Sequence, residues 1–75
     1  MPKLRPVSYK TLGRVFERAG FRCVRQEGDH LVYTKIGIAR PVVIPKYAAV
    51  PVFIIKNNLR SAGISRELYF ELLQD

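Results

Sequence analysis

The sequence contains no tryptophan, one cysteine and one histidine, and only six of its 75 residues are acidic. A single cysteine excludes an internal disulfide, and Cys23 in its apolar stretch suits a reducing compartment and a structural role. The few carboxylates form no cluster at metal-ligand spacing, so we expect neither a metal nor a cofactor. No apolar run approaches the roughly 20 residues of a membrane span, which favours a cytoplasmic protein without a membrane partner.

The length and the charge limit what the chain can be. Seventy-five residues predict a single domain over residues 1–75 with one small core. The net charge is +7, and it is uneven: residues 1–60 carry twelve basic and three acidic side chains, whereas residues 61–75 carry one and three. A basic body favours a polyanionic partner, most often a nucleic acid. Charge that serves solubility alone is the competing interpretation, and an anionic membrane is a weaker one.

Apolar residues near the N-terminus recur at helical spacing. Ser8 is a candidate N-cap, Val7 and Leu12 stand at the spacing of a hydrophobic staple, and Gly20 is a candidate helix end. The buried stripe of this helix is predicted to be Leu12, Val15, Phe16 and Ala19. Gly13 costs the helix about 1 kcal/mol in propensity and would permit a close approach to a sheet.

Two more helices are predicted in the C-terminal third. Pro51 suits the first turn of one, and Gly63 suits its end. The buried stripe of that helix is predicted to be Val52, Ile55, Leu59 and Ala62. Ser65 is a candidate cap for a last short helix, in which Leu68 and Leu72 are expected to pack inward.

Three segments between the helices are rich in β-branched and aromatic residues, which predicts strands over residues 21–26, 30–35 and 40–44. Pro41 places the third strand at a sheet edge or delays its start. Short turns between consecutive strands indicate an antiparallel meander. The predicted fold class is therefore α+β in the order α-βββ-α, with a three-stranded antiparallel sheet, helices on one face and a final short helix.

A tight turn between the first two strands is indicated by the sequence RQEGDHLVY at residues 25–33. Gly28 supplies the positive φ of a short hairpin, and Asp29 can hydrogen-bond the turn backbone. His30 then begins the second strand where the sheet meets solvent. Histidine takes and gives a proton near neutral pH, so His30 is a candidate acid/base group. An ordinary polar surface residue is the alternative.

Four motifs occur in order along the chain: GF at residues 20–21, GDH at 28–30, VIP at 43–45 and LRSAGIS at 59–65. In this combination and spacing they resemble the HicA toxin family, also called YcfA-like, over nearly the whole chain. The resemblance implies a fold like the double-stranded-RNA-binding domain. It also implies an mRNA-cleaving toxin of a type II toxin–antitoxin pair and a HicB-like antitoxin that blocks the toxin's surface. In that family the histidine of the G-x-H turn is catalytic, which corresponds to His30.

Metal-independent RNA cleavage needs a base for the 2′-OH proton and cations for the charge that develops on phosphorus. His30 is the only near-neutral acid/base group, so the leaving 5′-oxygen would take its proton from water, a lysine or a tyrosine such as Tyr47. The candidate RNA-binding residues are Arg25, Lys35, Arg40, Lys46 and Lys56. Each is alternatively a solvated surface charge.

Two further questions remain open from the sequence. Tyr33 and Tyr47 are candidates for stacking on an unpaired base, although Tyr33 equally suits the core. The apolar run at residues 50–55 is interpreted as core, and any exposed part as a surface for an antitoxin. A non-catalytic RNA-binding module of the same fold is the main alternative to a nuclease, and a protein-interaction domain is the third.

Overall fold

The computed structural model describes residues 3–74 and shows three helices packed on one side of a small sheet. The elements are α1 (Tyr9–Arg18), β1 (Arg22–Glu27), β2 (His30–Thr34), β3 (Val42–Pro45), α2 (Val52–Ala62) and α3 (Arg66–Leu73). The strands are ordered β1-β2-β3, and both pairs are antiparallel. The predicted α+β class and the order α-βββ-α are confirmed. The arrangement is consistent with the double-stranded-RNA-binding-domain-like fold that the resemblance implies.

Both ends of α1 are fixed by local hydrogen bonds. The Ser8 hydroxyl accepts a bond from the Thr11 amide at 3.2 Å, which confirms the predicted N-cap. At the other end Gly20 has a φ of 97°, and the Phe21 amide donates to the Phe16 carbonyl at 2.9 Å. This six-residue closure is the Schellman motif, and it directs the chain into β1. The rings of Phe16 and Phe21 then meet edge to face at 5.5 Å.

The core lies between the helices and the inner face of the sheet. Its buried members include Leu12, Phe16, Tyr33, Val42, Ile44, Ile55, Leu59 and Tyr69. Gly13 lies directly against the Tyr33 hydroxyl, and a Cβ at Gly13 would collide with that oxygen. The expected close approach of α1 to the sheet is therefore confirmed.

The C-terminal helices have the predicted caps, but one side chain does not pack as predicted. Gly63, with a φ of 72°, ends α2, and the Ser65 hydroxyl caps α3 by accepting from the Leu68 amide at 3.1 Å. The prediction that Leu68 packs inward is wrong, because its side chain is 39% exposed. Tyr69 is buried instead, and Leu72 and Leu73, three and four positions later, complete the stripe that faces the core. Pro51 lies just before α2, at its N-cap position.

The outer face of the sheet is not covered by a helix of the described chain. Residues that pair across neighbouring strands lie on the same face, so His30, Val32 and Thr34 share the outer face, opposite Tyr33. All of β1 is exposed, including the free thiol of Cys23. That strand is an edge of the sheet. The third strand begins only at Val42, which confirms the delayed start.

Candidate active site

The hairpin between β1 and β2 closes through a two-residue turn. Gly28 has a φ of 58°, and no non-glycine residue of the described chain has a positive φ. A positive φ at the first central position alone is the pattern of a type II′ turn, whose twist matches that of the flanking strands. His30 is therefore the first residue of β2, as predicted, and it pairs with Glu27.

His30 lies exposed at one end of the outer face. On its other side it pairs with Pro45 of β3, and the Lys46 amide donates to the Asp29 carbonyl at 2.7 Å. This bond ties the hairpin turn to the end of β3 and fixes the backbone on both sides of the imidazole. Within residues 3–74, no hydrogen bond or ion pair engages the ring. Both ring nitrogens are therefore accessible to a substrate.

Glu27 is a further candidate site residue, which the sequence interpretation did not name. It is the direct cross-strand partner of His30, and side chains in such pairs have Cβ atoms about 5 Å apart. The Glu27 carboxylate also pairs with the Arg25 guanidinium on the same face of β1. A row of basic, acidic and imidazole groups thus runs along the hairpin. The sequence could have predicted this pairing, because a two-residue turn at residues 28–29 places residue 27 opposite residue 30.

The five predicted RNA-binding residues are all exposed, but they do not converge on one point. Lys46 lies at the His30 end of the sheet, and Arg25 pairs with Val32 in the middle of β2, on the same face as His30. The Lys46 ammonium extends to the helix side, 5.7 Å from the ring centre of Tyr9. Lys35 follows the end of β2 and Arg40 precedes β3, so both lie at the opposite end. Lys56 lies on α2 in the helical layer.

The two tyrosines named as stacking candidates differ in accessibility. Tyr33 is buried in the core, so a role in base stacking is ruled out in this fold. Burial raises the pKa of Tyr33 above 10.0, and the nearby Cys23 and Glu17 raise it further. Tyr47 is 47% exposed, and its carbonyl accepts a bond from the Tyr9 amide at 3.0 Å. Tyr47 therefore remains a candidate at the His30 end.

The apolar run at residues 50–55 is core only in part. Val50 and Ile55 are fully buried, whereas Phe53 is 66% exposed. Val43 of β3 is also exposed, on the same face as His30. Single exposed apolar residues are common, but an aromatic ring and a valine beside a basic surface offer contacts to a protein partner.

Across residues 3–74, no three histidine, cysteine or acidic side chains are grouped so that they could hold a metal ion. No helix in that range is both long enough and apolar enough to cross a membrane. A family model described as "HicA toxin of bacterial toxin-antitoxin" matches residues 9–64, from the start of α1 to the residue after Gly63. No curated protein matches the chain.

Proposed function

The chain belongs to the HicA toxin family of bacterial toxin–antitoxin systems, and on that premise we propose that it is a metal-independent endoribonuclease that cleaves messenger RNA. His30 is the acid/base group of this proposal. The observation that carries it is the exposed imidazole at the hairpin end, with its backbone fixed on both sides and Glu27 opposite. A messenger RNA target implies that the toxin acts in the cytoplasm.

The proposed reaction is an internal transfer at phosphorus. His30 takes the proton of a ribose 2′-OH, and the 2′-oxygen attacks the adjacent phosphorus. The bond from phosphorus to the 5′-oxygen breaks, and the leaving oxygen takes a proton from water, a lysine or a tyrosine such as Tyr47. The products are a 2′,3′-cyclic phosphate and a free 5′-OH. A positioned acid/base group typically contributes about 10²–10⁴-fold to such a step.

Neighbouring side chains have supporting roles in this proposal. Arg25 lies on the same face of the hairpin as His30, where a cation would offset charge on the pentacoordinate phosphorus. Lys46 follows β3 beside the hairpin turn with its ammonium on the helix side, and we assign it to the RNA backbone. Lys35, Arg40 and Lys56 contact the RNA backbone farther away. Glu27 is the proposed positioning residue, because it is the cross-strand partner of His30. Its carboxylate pairs with Arg25 in this structure, and in the proposed complex with RNA it would accept a hydrogen bond from one imidazole nitrogen and leave the other for the 2′-OH.

Cleavage of a short single-stranded RNA by purified variants tests the catalytic assignment. We expect His30→Ala to lower the cleavage rate by about 10²–10⁴-fold while RNA affinity and thermal melting stay close to wild type. Glu27→Gln should lower kcat with little change in KM. Glu17→Gln, the same substitution on the exposed surface of α1, should change neither.

The outcomes separate the alternatives. If His30→Ala stays folded and cuts at the wild-type rate, the catalytic assignment is wrong. If the wild-type protein binds RNA but never cuts it, the chain is a non-catalytic RNA-binding module. If it binds no RNA at all, it is a protein-interaction domain.

Membership of a toxin–antitoxin family implies an antitoxin partner, and we propose that this partner is HicB-like and covers the outer face. Val43 and His30 share that face, so a protein bound there would bury an apolar contact and block the imidazole together. Val43→Asp should weaken antitoxin binding by tenfold or more without unfolding the toxin. Inhibition of toxicity that survives this substitution unchanged would place the antitoxin elsewhere.

A further inference from the structure

A cleft of about 400 Å³ lies at the end of the sheet opposite His30. From His30 to Thr34 the strand β2 advances four residues, or about 13 Å. The cleft forms where the end of α1 turns into β1 and where a β-bulge after Cys23 shifts the pairing with β2. Its lining residues are Gly20, Arg22, Val24, Thr34, Lys35 and Ile36.

Two cations and no carboxylate line this cleft. Lys35 is held in place: its ammonium is 5.8 Å from the ring centre of Phe21, and its Cε lies 3.2 Å from where a Cβ at Gly20 would stand. Arg22 forms no ion pair within residues 3–74, so its charge is not offset as that of Arg25 is. The cleft therefore presents two positive charges to one small ligand.

The rest of the cleft is apolar and open. Ile36 is fully exposed, and Val24, the extra residue of the β-bulge, is 50% exposed. Thr34 adds one hydroxyl. A site that combines two cations, a hydroxyl and an apolar surface matches the parts of a nucleotide: its phosphate, its ribose and the face of its base. The volume is within the range of small-molecule sites.

We infer that this cleft is a second RNA subsite, which holds one nucleotide of the strand whose scissile phosphate lies at His30. Arg22 and Lys35 bind its phosphate, and Val24 and Ile36 contact its base. This inference rests on the proposed function, because it places the same RNA strand across the outer face. An acidic protein segment would also form ion pairs with the two cations, but unlike a nucleotide it would supply no planar base to pack on Ile36.

A titration of the ¹⁵N-labelled full chain with adenosine 5′-monophosphate tests the subsite directly. We expect saturable shifts of the Gly20, Thr34 and Lys35 amides. Arg22→Ala and Lys35→Ala should each weaken binding by about threefold to tenfold. Arg14→Ala removes the same charge from the exposed surface of α1 and should change affinity less than twofold. Ile36→Ser should weaken the nucleotide but not inorganic phosphate.

Cleavage of an octanucleotide separates this inference from the proposed function. Arg22→Ala should raise KM severalfold with kcat within twofold of wild type. Nucleotide binding in the cleft without any RNA cleavage would support the subsite and refute the catalytic proposal. Cleavage without saturable shifts at the cleft would overturn the subsite alone. A hexaglutamate peptide that shifts the same amides more strongly than the nucleotide would identify a protein-binding site and overturn it too.

Discussion

Gly13 and the Tyr33 hydroxyl touch where α1 crosses the sheet, and this contact sets how closely the helix can approach. A Cβ at Gly13 would overlap the Tyr33 oxygen and would lie 3.3 Å from Cζ of the same ring. The ring cannot simply swing away, because Tyr33 is buried among core residues. Gly13→Ala should therefore displace either the ring or the helix.

The expected magnitude follows from two opposing effects. Overpacking of a buried contact costs about 1–3 kcal/mol. Alanine in place of glycine inside a helix returns about 1 kcal/mol through propensity. We expect Gly13→Ala to lower the free energy of unfolding by up to about 2 kcal/mol. Tyr33→Phe removes the oxygen that makes the severe overlap, so in that background the same substitution should be neutral or stabilising by up to about 1 kcal/mol.

Urea denaturation of the wild type, both single variants and the double variant measures this coupling. The double-mutant cycle should give an interaction free energy of at least about 1 kcal/mol, because the two groups share one contact. Effects of the two substitutions that add to within about 0.5 kcal/mol would refute the argument. Such a result would mean that the Tyr33 contact does not require glycine at position 13 and that the hydroxyl has room to move.

Three further predictions concern charge, ionisation and the last helix. RNA affinity should fall with salt at a slope of about −0.7 for each phosphate contacted, and Arg25→Ala should make that slope shallower by roughly one contact, measured by fluorescence anisotropy. Burial raises the pKa of Tyr69 above 10.0, so its contribution to stability is complete below that pH and is lost as the pH rises through the higher value. Tyr69→Phe should therefore reduce the loss of stability above pH 10 in urea titrations. Arg18 donates to the Leu72 and Gln74 carbonyls at 2.7 and 2.8 Å, so Arg18→Ala should cost about 1 kcal/mol and speed amide exchange in α3, whereas Arg14→Ala should do neither.

The parts of the fold that the sequence predicted are those decided locally. The starts of two helices are capped by Ser8 and Ser65, and the ends of two are closed at Gly20 and Gly63. The hydrogen bonds involved span only a few residues, so residue type and spacing were sufficient to predict them. The inward placement of Leu68 failed because an eight-residue helix has several candidate stripes. Its contact with α1 decides among them.

The site was predicted less completely than the fold for a related reason. His30 was evident as the only histidine after a turn glycine. The proposed role of Glu27 depends on its cross-strand pairing with His30, which can be inferred from the sequence only through the length of the turn. The dispersed positions of Lys35 and Lys46 depend on the antiparallel order, which sends residues following different strands to opposite ends of the sheet. The cleft beside Arg22 depends on a β-bulge, which residue type alone does not predict.

The outer face has its own order although no helix of residues 3–74 covers it. Val32 lies outside the main core and yet is only 3% exposed. It is buried because Arg25 and Val43, its partners on the neighbouring strands, flank it on the outer face. An arginine commonly packs its aliphatic stem over such a residue while its guanidinium reaches solvent. Here the guanidinium meets Glu27, which in turn faces His30. Strand pairing thus fixes which side chains surround the imidazole, so an open surface can hold the backbone of the proposed acid/base residue in a defined place without a deep pocket.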